Sequence, residues 1–509
     1  MAGGRGRFTR RRFLRAAGAA WVALAGALGC EPTEREGRAG ASPQRSEGTS
    51  VRGLTSARSG PVRAFSSRPD LAPSGVTVET PAEGVAPGYV FLAPKKGSGQ
   101  DGTMILDNSG EPVWFRPVGD EAFDAMDFKA QDFRGEPVLT WWEGVHGAYG
   151  QGEYVIMDGR YREVGRVHAG NGLDGDHHEF LITDRDTALV TIYAEVPYDL
   201  SPFGGPEDGT VAEGVVQEID IESGEVLFQW RSLDHAPIEE THGGLPEGPT
   251  SVYDYFHINS VEVDHDGNLL VSARRTFTVY KIDRRTGEVI WRLGGRRSDF
   301  EMGVGTTTLY QHDARRQPDG TLTLFDNGGM NFSEQSRVIV VEADEKNMTA
   351  TLVREYSHPD EILALTQGNA QRLPNGNLFV GWGAEPDFSE FSSEGDLLFS
   401  ARLPADVESY RAFRFPWTGR PEGPPDLATA PDPEGGVILY ASWNGATDVE
   451  SWQVLAGCSL GGLEPAGAVP RTGFETRVSV RTEEPLVAVR ALDRSGQALG
   501  ASEAVNIRG

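Results

Sequence analysis

Three features of this chain predict an all-β fold, a six-bladed β-propeller followed by a small β-sandwich. It carries 64 glycines and 31 prolines in 509 residues, against an ordinary share of roughly 12% for the two together. Helical heptads and long apolar stripes are absent, while turn signals recur from end to end. Two kinds of hairpin arm then repeat, at a spacing of roughly 50 to 60 residues that holds four short strands per unit, as propeller blades do.

Taken in order, Thr9-Arg10-Arg11-Arg12-Phe13-Leu14-Arg15 matches the twin-arginine export pattern and precedes a mild apolar run from Ala16 to Gly29. That run is shorter than the roughly 20 residues a membrane span needs. Ala27-Leu28-Gly29-Cys30 resembles a lipobox, so residues 1–30 are expected to be a signal peptide of lipoprotein type with lipidation at Cys30. The expected location is the periplasm or the cell envelope, with the lipid on Cys30 as the sole membrane contact. Residues 31–75 are rich in Arg, Ser, Gly, Pro and Glu without apolar periodicity, and read as a disordered tether.

The propeller is expected over residues 76–418. One arm appears as Gly135 to Trp141, Asp186 to Ile192, Asp266-Gly-Asn-Leu-Leu-Val271, Asp319 to Leu324 and Asn375 to Val380. The other appears as Asp107 to Trp114, Asp220 to Trp230 and Asp283-Arg-Arg-Thr-Gly-Glu-Val-Ile-Trp291. These place blades near 124–168, 177–231, 257–293, 312–357 and 369–403. Residues 89–92, 104–115 and 410–415 remain, and together make a closing blade from both ends of the repeat region, which removes the exposed edges. Beyond a Pro-rich linker, residues 419–509 show strands of period two without the repeat, and read as a fibronectin type III-like sandwich without chemistry.

A formal charge of −28 argues against nucleic acid or an anionic membrane surface as partner. An anionic ligand needs local cations, so the ten histidines carry weight. Of the two cysteines, Cys30 falls in the leader and Cys458 is an incidental small residue. Stepping back nine to twelve residues from the Leu-Leu-Val arms reaches His178, His257, His312 and Asn369, each where the first strand of its blade begins. The hairpin at Asp264-His-Asp-Gly-Asn268 returns Arg274 to the edge that holds His257. His178, His257, His312 and Arg274 are therefore expected at one mouth of the ring. By strand alternation His177 and Arg275 should face away; His265 and His358 read as turn and loop residues, and His146, His168, His235 and His242 carry no repeat phase. A guanidinium among the imidazoles repels a dication, so no metal is expected at this mouth. A structural calcium on the Asp174-Gly-Asp176 loop stays open.

The segments Asp176-His-His-Glu179, Tyr255-Phe-His-Ile-Asn-Ser260, Val271-Ser-Ala-Arg274, Gln311-His-Asp313 and Gly368-Asn-Ala-Gln-Arg-Leu373 resemble those of the bacterial arylsulfotransferases over residues 88–416. The resemblance implies transfer of a sulfuryl group from an aryl sulfate to a phenol, without a nucleotide donor or other cofactor. It implies His312 as the nucleophile that carries the group, with His257, Arg274 and His178 completing the site, and Asn259, Gln311 and Asn369 as substrate-binding residues. The chain departs from family members that carry a disulfide near the site, and its sandwich and leader mark a separate branch. A non-catalytic, surface-tethered propeller holding an anionic or sulfated ligand is the alternative for the same mouth.

Overall fold

The second strand of each repeat unit is apolar at consecutive positions, which only a strand buried on both faces tolerates. The computed structural model, which describes residues 49–54, 61–119, 122–147, 149–245, 251–329, 333 and 335–508, shows why. In Leu269–Ala273, Leu269 and Val271 join an apolar cluster with the preceding sheet, while Leu270 joins one with the following sheet. Six such clusters lie between successive sheets, the last uniting Phe379, Phe388 and Phe399 with Val90, Leu92 and Phe115 of the first.

Among the described residues the chain is nearly all β, and the propeller-like part holds six sheets, antiparallel apart from the short parallel pairings of Val252–Asp254 and Glu301–Met302. The first pairs Ala412–Phe415 with Tyr89–Leu92, Gly102–Leu106 and Pro112–Pro117, so both ends of the repeat region share it. The next runs from Asp124–Phe133 to Glu163–Val167, and the third from Phe180–Ile182 to Val226–Arg231. The fourth holds Ile258–Val263, Leu269–Ala273, Thr278–Ile282 and Val289–Gly294. The fifth starts at His312–Arg316, the sixth at Asn369–Arg372. Each first strand lies near the next sheet, and Ala412–Phe415 contacts both Asn369–Arg372 and Asp124–Phe133.

Where the first strands converge they splay, so neighbouring sheets are joined by side chains instead of a backbone ladder. The Gln131 amide donates to Phe180 O at 3.0 Å and accepts from Ile182 N at 2.8 Å. Asn369 does the same with Ala412, at 2.8 and 2.9 Å, and Gln371 with Arg414, at 3.0 and 2.7 Å. Register shifts interrupt three of these strands, between Met126 and Lys129, Ile258 and Ser260, and His312 and Arg315. Such bulges re-aim side chains. Asp127 and Asp313, in the left-handed region at φ 56° and 53°, are turned onto a buried arginine that the sequence did not single out.

That residue, Arg411, donates to Asp127 Oδ1 at 2.8 Å, Glu179 Oε1 at 3.2 Å and Asn259 O at 3.0 Å, and lies 3.4 Å from Asp313. Lys129 reaches Asp127 and Glu179 at 2.7 and 2.6 Å, and Arg315 pairs with Asp313 at 2.7 Å and with Glu179. Three cations thus meet three carboxylates, drawn from four sheets and the residues that lead into them. Burial alone would raise the Glu179 carboxyl; Arg315, Arg411 and Lys129 hold it well below the usual range.

The C-terminal part is a two-layer sandwich. One sheet orders Ser50–Leu54, Glu475–Arg481, Val437–Ser442 and Asp426–Pro431; the other contains Glu464–Pro470, Ser451–Gly457, Leu486–Leu492 and Ala498–Ala501. Leu439, Val478 and Val480 meet Trp452, Val454, Val487 and Val489 between them. It docks on the first sheet through Asn444, whose amide accepts from Phe115 N at 3.0 Å and donates to Phe115 O at 2.8 Å.

One expectation is corrected here. The tether expected over 31–75 is structured where it is described: Ser50–Leu54 pairs with Glu475–Arg481, and Phe65 and Leu71 are buried, Phe65 against Phe474 at 4.2 Å. Single apolar residues without periodicity look like linker, yet each fills a gap that other parts of the chain create. The twin-arginine motif, the apolar run and Cys30 lie outside the described residues. Cys458 is exposed with a free thiol.

Replacing Arg411 by Met leaves three carboxylates to share two cations in a buried place. Denaturant unfolding should show a loss of about 3–5 kcal/mol, whereas Arg134→Ala, which breaks an exposed pair with Glu222, should cost under about 1 kcal/mol. Equal effects would mean that these buried charges do not hold the sheets.

Candidate functional site

At the fourth sheet the hairpin closes as its turn residues require: Ile258 pairs with Ala273, and Arg274 N donates to His257 O at 2.8 Å. His257 stands just ahead of its strand with φ 55°, a conformation that a non-glycine residue holds only when its surroundings impose it. His312 opens the fifth sheet opposite Phe325, and His178 stands two residues before Phe180. Residues at or just ahead of the first strands of three consecutive sheets thus supply the imidazoles.

The rings meet there. His178 and His257 lie edge to face at 5.2 Å, with Tyr193 5.4 and 5.7 Å from them and Tyr410 5.5 Å from His178. The Arg274 guanidinium lies over the Tyr310 ring at 4.7 Å and donates to Leu365 O at 3.0 Å. Among the described residues no carboxylate pairs with it, and its buried Nε has no hydrogen-bond partner. Phe277 packs edge-on against Tyr310 at 4.7 Å and stacks on His242 at 4.2 Å, which extends the aromatic wall.

Each imidazole is fixed through Nδ1. His312 Nδ1 faces two acceptors, Asn327 Oδ1 at 2.6 Å and Tyr310 O at 3.0 Å, so it carries the proton and Nε2 keeps the lone pair. His257 Nδ1 donates to Asp254 Oδ2 at 2.5 Å, and His178 Nδ1 donates to Asp176. Burial pushes His312 well below the ordinary imidazole value, and the Arg274 charge drives it further, with His257 and His178 adding. His178 is lowered by burial against the pull of Asp176, with His257 and Arg411 adding. Burial, then the neighbouring Arg275, brings Arg274 down to about 10, where it stays charged at neutral pH. These mutual influences bring His178, His257, Arg274 and His312 into one electrostatic unit, neutral at His312 and cationic at Arg274.

Five expectations are corrected. Asn259, Gln311 and Asn369 are fully buried and face backbone, not an open mouth. Asn259 Nδ2 donates to Gln311 O at 2.7 Å, with its Oδ1 left unpartnered; Gln311 Nε2 donates to Ala273 O at 3.1 Å and Thr278 O at 3.2 Å; Asn369 clamps Ala412. The motif residues are there because adjoining sheets need amides to satisfy splayed backbone. His177 does not face away from His178: the rings stack at 4.1 Å, because regular alternation begins only at Phe180. Arg275 likewise lies past the strand end, and its Nε comes within 3.8 Å of the Asp254 carboxylate that holds His257. His358, set against Trp382, and exposed His265 lie away from these rings.

Several residues went unread. Asp254 and Asp176 precede their histidines by three and two positions, a local Asp-to-His spacing visible in the sequence. Asn327 follows Leu322–Asp326 as Arg274 follows Leu269–Ala273, so aligning strand exits as well as strand starts would have found it. Among the described residues one set of ligand atoms converges, Asp176, His177 and His178, within 4.8 Å of one another. Asp174, expected as its calcium-binding companion, is exposed, while Asp176 turns inward to Gly150 N and the imidazoles.

An unfolded histidine takes its proton near pH 6.5, whereas folded His312 resists until far lower. The unfolded chain therefore binds more protons in between, and stability, complete above that pH, falls as the medium is acidified. Unfolding free energy should drop from pH 7 to 5, and His312→Asn should make the slope shallower by up to about 1.4 kcal/mol per pH unit. Identical slopes would show that His312 is not held neutral.

The sequence model of the family described as Arylsulfotransferase (ASST) matches residues 129–403. No curated protein matches the chain. Among solved structures, it is similar to a protein of unknown function from Bacteroides caccae, at 14% identity and TM-score 0.40, over 64% of this chain and 98% of that one. A protein from Lactobacillus plantarum is similar at 12% identity and TM-score 0.36, over 78% and 99%. Catalytically inactive virginiamycin B lyase from Staphylococcus aureus is similar at 7% identity and TM-score 0.34, over 79% and 99%. With its match running through the sheets that carry all three site histidines and over more than half of its length, the chain belongs to the arylsulfotransferase family.

Proposed function

We propose that the protein transfers a sulfuryl group from an aryl sulfate to a phenol through a covalent adduct on His312. The observation that carries this reading is a neutral imidazole held by its Nδ1 proton beside an arginine with no carboxylate partner among the described residues. The Nε2 lone pair attacks sulfur, the N–S bond forms, and the S–O bond to the arene breaks. Arg274 offers N–H donors to the sulfuryl oxygens, where charge rearranges. The departing phenolate takes a proton from His257 Nε2, the ring being held through Nδ1 by Asp254; His178, lowered by burial and donating its one proton to Asp176, presents Nε2 as a hydrogen-bond acceptor. In the second half, neutral His257 removes the proton of the acceptor phenol, its oxygen attacks sulfur, and the S–N bond breaks. Proton and sulfuryl group are both returned, so turnover needs no further reactant. Tyr193, Tyr310 and Phe277 supply faces for an aromatic ring. The export reading of the leader, with lipidation at Cys30, belongs to the same proposal and puts the reaction outside the cytoplasm.

With 4-nitrophenyl sulfate and phenol, the native chain should release nitrophenol with ping-pong kinetics. His312→Asn should lower kcat/KM by more than about 10³-fold, and Arg274→Met by about 10²–10³-fold. Donor alone should add one sulfuryl mass to a peptide containing His312. Turnover unchanged in His312→Asn, or equilibrium binding of the donor without release of nitrophenol, would overturn the proposal.

A further inference from the structure

We infer that Asp176, His177 and His178 form a binding site for a divalent transition-metal ion of the zinc type, set behind the cationic mouth. Their ligand atoms lie within 4.8 Å of one another, and all three side chains are buried, at 0%, 6% and 6% exposure. The carboxylate is only half used by backbone: Oδ1 accepts from Gly150 N at 2.9 Å and Oδ2 from His178 N at 3.0 Å. Each oxygen therefore keeps a second lone pair, and each has an imidazole Nδ1 beside it.

His177 supplies the independent sign. Its Nδ1 is buried without any hydrogen-bond partner, a state that costs about 1–3 kcal/mol and asks for a ligand. That nitrogen stands 3.4 Å from Asp176 Oδ1, too far for a good hydrogen bond. Two ligands on a tetrahedral ion at about 2.0–2.1 Å lie about 3.4 Å apart, so an ion fits this gap without movement. His178 Nδ1 is closer to Oδ2, as a hydrogen bond demands; an ion there takes that proton's place, the proton moves to Nε2 of the neutral ring, and the ring shifts slightly outward.

The surroundings suit a fixed cradle. A Cβ on Gly150 would stand 3.0 Å from His177 N and 3.1 Å from Asp176 Oδ1, and one on Gly175 would strike Tyr154. The His146 ring packs edge-on against His177 at 4.7 Å and is partly exposed, which gives a fourth ligand or a path for water. Two nitrogens and one oxygen favour zinc, cobalt or nickel over calcium or magnesium, which prefer oxygen alone. With its Nδ1 on the ion, neutral His178 carries its proton on Nε2, which faces away from the ion. The metal site shares His178 with the sulfuryl-transfer site, while His312 and Arg274 take no part in binding the ion.

The test uses the full chain, treated with chelator, dialysed, and titrated with Co2+ or Zn2+. One equivalent should bind, Co2+ should show the d–d bands of four-coordinate cobalt, and the melting temperature should rise. His177→Gln should weaken binding at least tenfold, while His312→Asn binds as tightly as the native chain. Absence of stoichiometric uptake by the native chain, octahedral cobalt bands, or undiminished binding in His177→Gln would each overturn the inference; the cobalt spectrum needs no variant to fold.

Discussion

The structure depends on the buried charge cluster in which Arg411 meets Asp127, Glu179 and Asp313. Six sheets packed by apolar faces alone would be free to slide past one another, since apolar attraction has no direction. A fully desolvated guanidinium that needs several carboxylate oxygens at once does have direction, and it fixes four inner edges relative to one another. Its cations and carboxylates balance, three against three, so within the cluster no charge is left unpaired of the kind that makes buried ions costly.

The same cluster separates fold from chemistry. On one side of it, Asp127, Glu179 and Asp313 are consumed by structural cations. Beyond it, His178, His257 and His312 are left with short-range partners of their own: Asp176, Asp254 and Asn327. Two imidazoles face carboxylates and one faces amide and carbonyl oxygens, and the proposed roles rest on that difference. A carboxylate favours a protonated imidazole, although at His178 burial outweighs it, whereas at His312 a neutral acceptor only orients the ring beside Arg274. The reaction proposed above takes as its nucleophile the imidazole that has no carboxylate beside it.

Much of the fold was legible because repetition multiplies weak local signals. Hairpin turns between strands such as Ile258–Val263 and Leu269–Ala273 are set by Asp, Gly and Asn chemistry, and the fourth sheet spans 258–294 against an expected 257–293. Legibility stopped where strands stop. His177 and Arg275 lie just outside regular strand, so period-two reasoning assigned them the wrong side. Asn259, Gln311 and Asn369 lay in suggestive motifs, but the need of a splayed backbone for amide partners claimed them first.

The sequence by itself determined the all-β class, the order of the hairpins, the completion of the first sheet by residues from both ends, and the stretch His257 to Arg274 as a local pair. All of these follow from turn chemistry and alternation over a few residues. Only the tertiary structure decided that Arg411 is buried against Asp127, Glu179 and Asp313, that Asn327 holds His312, and that Phe65 and Ser50–Leu54 are built into the folded body. The physical reason is range: turn preference is a property of neighbours in the chain, whereas burial and charge pairing depend on which distant residues share one small, water-poor space.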